Sequence, residues 1–87
     1  MTRDAAERLA LAALGTLVAD PERLGSFLSA TGIGPETLRA AAATPAFLVA
    51  VLDHLIADER TFVVWCGDAG VAPETIAAAR ELLASAE

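Results

Sequence analysis

The chain has no lysine and no tyrosine, and its 87 residues hold one cysteine, one histidine, one tryptophan and one methionine. A single cysteine cannot close an intramolecular disulfide, so nothing in the thiol chemistry points to an oxidising compartment. Six arginines stand against twelve acids, a formal net charge of −6. That balance argues against any partner whose binding depends on neutralising phosphates, nucleic acid above all. No apolar run approaches the ~20 residues that span a bilayer. The run Ala46–Leu52 stops at Asp53-His54. Leu9–Ala19 is uncharged and looks like the apolar region of a secretion signal, but its leader sets Asp4 and Glu7 against Arg3 and Arg8. Asp20-Pro21-Glu22 then follows in place of small residues suited to cleavage. The expectation is a cytoplasmic protein that does not enter membranes. Gly-rich phosphate loops, zinc-ligand spacings and acyl-transfer triads are missing too, so no cofactor is implied.

What the chain does have is apolar mass of one kind. Hydrophobic residues make up 55%, with 21 alanines and 12 leucines among them. These are helix formers, whereas strands favour β-branched residues. The length suits one small domain, 1–87, near the size at which a core needs good packing to hold. So much apolar mass in so short a chain is also more than one small core readily hides.

Punctuation divides that mass into about six short helices. Leu9, Ala10, Ala13, Leu14, Leu17 and Val18 recur at helical spacing after Thr2, a candidate cap. Asp20-Pro21 ends this helix and opens a second, since Asp caps and Pro at the first position gives up an N–H that has no partner there. Leu24, Phe27 and Leu28 form the second stripe, which Gly32 stops. Pro35-Glu36 opens a third helix, through Leu38 to the alanine run 40–43. Thr44-Pro45 repeats the cap-then-proline signal. The fourth helix, Pro45–Ala57, is apolar around most of its circumference and is expected to run through the middle of the fold. Asp58 caps a fifth, Gly67 and Gly70 mark its end, and Pro73-Glu74 opens a sixth. Thr61–Cys66 alone has strand propensity. A lone strand cannot satisfy its backbone, and no second strand is available.

The chain also matches itself. Residues 7–42 laid over 45–80 agree at Ala12/Ala50, Leu14/Leu52, Leu17/Leu55, Ala19/Ala57, Asp20/Asp58, Gly32/Gly70, Pro35/Pro73, Glu36/Glu74, Thr37/Thr75, Ala40/Ala78 and Ala41/Ala79. Those are 11 identities in 36 positions, where composition alone gives about four. Gly-x-x-Pro-Glu-Thr recurring at one distance after a capping Asp carries most of the weight. The sequence therefore predicts an all-α bundle of two pseudo-repeated three-helix units, 7–42 and 45–80, sharing one core, with the first and fourth helices side by side. In this register Phe62 and Trp65 take the helical slots of Leu24 and Phe27, which settles the ambiguous segment as helix.

Few residues offer chemistry. Asp53, His54, Asp58 and Glu59 form the one cluster that could serve a ligand, a metal or a catalyst. A metal wants three converging ligands, however, and Asp58 is already needed as a cap. The plainer reading of His54 is a surface histidine among acids. Cys66 reads as a small buried hydrophobe with no nearby cation to activate it. The arginines are scattered among acids, which suits a solvated face. A helix-turn-helix reading of the glycine corners fails because the last helix is acidic. Trp65, Phe62, Phe27 and Arg39 remain as partner-contact candidates. Trp65 leads them, because its indole N–H wants a hydrogen-bond partner and large rings anchor interfaces.

Phe27-Leu28, Thr31-Gly32, Leu38-Arg39, Phe47-Leu48, Val51-Leu52-Asp53, Leu55 and Asp58-Glu59 together resemble a family of small alphaproteobacterial proteins, a domain of unknown function. The resemblance runs from the first helix to beyond Trp65 and implies a stand-alone cytoplasmic helical protein. It brings no activity or catalytic residue with it. The residues favour a non-enzymatic module for an unknown protein partner or for self-association. The alternative is a ligand- or metal-binding protein or catalyst built on the Asp53–Glu59 cluster.

Overall fold

A short polar cap, a proline at the first position, or both open each of the long helices. The computed structural model describes residues 1–41 and 44–85, leaving the side chains of Pro35, Leu38 and Arg39 aside, and it holds five α-helices of three or more turns. They are α1 (Arg3–Ala19), α2 (Pro21–Thr31), α3 (Pro45–Ala57), α4 (Glu59–Ala69) and α5 (Pro73–Ala84). Thr2 Oγ1 accepts from the Ala5 N–H, and Asp20 Oδ1 from those of Glu22 and Arg23. Thr44 Oγ1 and Asp58 Oδ1 do the same for Phe47 and Thr61. Each cap satisfies N–H groups that the first helical turn leaves without intrahelical partners. Gly32 (φ 74°) and Gly70 (φ 68°) close α2 and α4 in the left-handed conformation, where a side chain would be strained.

Two expectations need correction. The third helix does not form at full length: Pro35–Thr37 is a 3₁₀ turn and Leu38–Ala41 a single α turn. Thr44, before a proline, is held extended (φ −101°, ψ 139°), which stops the helix there. The end of the alanine run, 42–43, lies outside the described residues. Among the described residues two long helices and two short turns therefore precede Thr44, and three long helices follow it, so the halves share an aspartate cap and a glycine stop but not a third long helix. The second correction is Gly67, which lies inside α4; only Gly70 ends that helix. Thr61–Cys66 is helical throughout.

Helices α1, α3 and α5 pack on one another in the middle, with α2 laid against α1 and α3, and α4 against α3 and α5. On α1 the inward stripe is Ala6, Ala10, Ala13 and Leu17; α5 answers with Ile76, Ala79 and Leu83. The small side chains let these two axes approach closely. The α3 helix is the central rod that its composition predicts, with Val51 and Leu52 wholly enclosed and Phe47, Leu48 and Leu55 nearly so. Arg80 on α5 clamps Asp53 on α3 through Nε to Oδ1 (2.8 Å) and Nη2 to Oδ2 (3.4 Å). The Cα envelope measures 31 × 28 × 16 Å, so along the short direction the outer helices keep one face in solvent. None of the described helices is long and apolar enough to cross a membrane.

Candidate functional site

The acidic cluster around His54 comes apart in three dimensions. Asp53 points to Arg80, which holds its guanidinium firmly charged. Asp58 accepts from the Thr61 hydroxyl at 2.8 Å and the Thr61 N–H at 3.3 Å. These two bonds, the hydroxyl's first, hold the Asp58 carboxyl below its ordinary value, with help from the charges of Arg23 and Arg60. His54 turns inward and meets the Phe27 ring edge-on, centroids 5.2 Å apart. Glu59 is exposed. Of the four, His54 and Asp58 line one concavity, about 260 Å³, with Arg23, Ser26 and Thr61, while Asp58 and Glu59 line another with Arg60 and Val63, and neither holds three of them. Among the described residues no three of His, Cys, Asp and Glu gather closely enough to hold a metal ion.

The aromatic candidates separate by depth. Phe27 is fully enclosed, packed on Phe47 (5.6 Å, edge-on) and His54, and works as core. Phe62 is half-buried against the same core. Trp65 is 8% exposed, and its Nε1 donates to Thr16 Oγ1 at 2.8 Å, which ties α4 to α1. Thr16 in turn donates to the Ala12 carbonyl, so the buried edge of the indole ends in a satisfied chain. The Arg39 side chain lies outside the described residues. Cys66 is buried, and desolvation followed by the Glu74 charge pushes its thiol up, away from reactivity.

Composition and spacing did not single out the outer face of α4. Val63 and Val64 are 58% and 57% exposed. Both are β-branched, a poor choice for a solvent-facing helical position on propensity and on hydration alike. Around them Arg60, Gly67 and Asp68 are exposed as well. Two concavities flank this face. One is apolar, about 290 Å³, and has Thr16, Arg60, Val64, Trp65 and Asp68 in its wall. The other is shallower and runs along Ala57, Asp58, Arg60, Val63 and Val64. They meet at Arg60 and Val64. Among the described side chains, Arg3, Arg8, Arg23 and Arg80 each pair with a carboxylate, and Arg60 pairs with none. The internal match carries a signal for this face. It sets Val63 and Val64 against Gly25 and Ser26, an apolar departure from an otherwise similar helix.

Neither a curated protein nor a solved structure matches the chain. A family match covers residues 3–86, nearly the whole length, from the start of the first helix to well beyond Trp65. The chain therefore belongs to the family described as protein of unknown function DUF3572.

Proposed function

We propose that the protein is a non-enzymatic protein-interaction module and that the outer face of α4 is its docking surface. One observation carries the reading: two adjacent valines stand more than half exposed on a helix whose inner side is fully anchored. A contiguous apolar patch rimmed by polar residues is what a contact surface presents, and the two valines are adjacent and flanked by Arg60 and Asp68. Beneath it Trp65 is fixed by Thr16, so the face is presented on a rigid support. The competing reading, a ligand or catalytic site on Asp53, His54, Asp58 and Glu59, is the weaker one. Arg80 engages one carboxylate of that set and a capping bond engages another.

A photo-crosslinking residue at position 64, introduced into the chain in its native cell, tests the proposal. A discrete adduct is expected from position 64 and none from an even more exposed position such as Glu81. An equal, diffuse smear from both would remove the docking surface. In parallel, His54→Ala should lower stability modestly, through the lost contact with Phe27, while leaving the fold and adduct formation intact; a loss of adduct with an unchanged fold would shift the site to the His54 concavity.

A further inference from the structure

On the proposed docking face we infer that the partner is a second copy of this chain, bound through α4 against α4 in an antiparallel, two-fold arrangement centred on Val64. The inference rests on the docking-face reading above and adds to it the identity of the occupant.

The argument starts from spacing. Arg60, Val64 and Asp68 fall at i, i+4 and i+8 and form one ridge along the outer side of α4, all three exposed. Ridges of this i±4 kind align in the commonest class of helix crossing, near −50°. When two copies of one ridge run antiparallel about Val64, Arg60 lies beside Asp68 of the second copy, and Asp68 beside Arg60 of the second copy. The charges sit about 12 Å apart along the helix, two turns, with the apolar centre midway between them. The ridge is thus complementary to its own reverse, which is what an isologous contact requires.

Three further features fit. Neither Arg60 nor Asp68 has an ion-pair partner among the described residues of its own chain. Gly67 stands exposed in the body of the helix and faces open space. A glycine there costs the lone helix about 1 kcal/mol relative to alanine; one turn from Val64, the missing side chain leaves room for a second helix to pass close by. The corresponding ridge on α2 reads Glu22, Ser26 and Ala30, with neither the apolar centre nor the charge pair, so the match belongs to α4 alone. A face of three helical turns buries less than the ~1,200 Å² typical of stable complexes, so the dimer is transient, with a dissociation constant in the micromolar range or weaker.

Sedimentation equilibrium over a wide concentration range provides the test. The wild-type chain should pass from one to two copies as concentration rises. Arg60→Asp and Asp68→Arg should each weaken the dimer roughly tenfold or more, because each sets like charges against each other at both ends. Mixing the two variants should restore association, since every pair is then opposite in sign, and the double variant R60D/D68R should restore it within one chain. Circular dichroism checks that each variant keeps its fold. A second route needs no charge change: Val64→Cys should oxidise to a disulfide-linked dimer much faster than Val18→Cys on the outer side of α1. A wild-type chain that stays monomeric at every concentration overturns the inference. So does a mixture that associates no better than its components, or equal linking at positions 64 and 18. A monomer that nevertheless yields a discrete adduct from position 64, heavier than two chains, overturns the dimer and leaves the docking face standing. A monomer with no adduct removes both.

Discussion

Helices α2 and α4 each run eleven residues, open on a capping aspartate and close on a left-handed glycine. Each sends one large ring inward, Phe27 from α2 and Trp65 from α4. Outward they part. Where α2 has Glu22, Gly25, Ser26 and Ala30, α4 has Arg60, Val63, Val64 and Asp68. Caps and inward rings are demanded by the fold, because an uncapped turn or an empty core site costs stability wherever it occurs. The outward positions are free of that demand. A difference confined to them reflects what the helix meets outside its own domain, and only one of the two helices carries an apolar, charge-flanked surface.

The largest expected effect tests how evenly the two helices are anchored. Phe27→Ala should cost about 3–5 kcal/mol, which is much of the total stability of a domain this size at roughly 0.05–0.15 kcal/mol per residue. Trp65→Ala should cost less in urea denaturation, since its ring reaches the edge of a surface groove. Equal losses would mean that α4 is as deeply built in as α2. Next come the glycine stops. Gly32→Ala and Gly70→Ala each force a side chain into the left-handed region and should each cost about 1–2 kcal/mol, with near-equal shifts in thermal melting. A marked inequality would show that the two corners, alike in φ, carry different loads.

Smaller still is the effect of giving α4 a polar outside. Val63→Ser with Val64→Ser should change folding stability by no more than about 0.5 kcal/mol, as surface substitutions do, while abolishing association at position 64. A large loss of stability would place these valines in the core economy of the monomer instead. The smallest effect concerns the cap. Thr61 bonds hold the Asp58 carboxyl low, so the stability this charge contributes is present above the ordinary value of 3.8 and is lost as pH falls through the lowered one. Thr61→Val should lift the Asp58 titration midpoint, read by NMR, and the charge-dependent part of the stability gap between the two proteins should close in acid.

Much of this architecture can be read from residues that act locally. Asp20, Thr44 and Asp58 announce helix starts because a short acceptor next to an N-terminal turn has one obvious use. The apolar circumference of Pro45–Ala57 places α3 in the middle for the same reason: no orientation leaves it comfortable in water. The segment after Pro35 misleads because its helical composition is real, while its start winds as a 3₁₀ turn and Thr44-Pro45 stops it at the other end. Contacts distant in sequence escape altogether. Nothing near Trp65 names Thr16, 49 residues away, and nothing near Asp53 names Arg80, 27 residues on. The α4 surface is an intermediate case. Val63 and Val64 are conspicuous in the sequence, but their branching reads as strand propensity until the helix around them shows which way they face.

The Trp65–Thr16 bond has a practical consequence. In a chain without tyrosine, near-ultraviolet fluorescence is dominated by that one indole, which sits where α4 joins α1 and at the rim of the groove beside Val64. Its emission therefore serves as an intrinsic optical gauge. Global melting would shift it strongly to the red, while occupation of the neighbouring groove would alter its intensity or quenching in the folded chain, below the melting transition, so one spectrum separates the two events without any attached label.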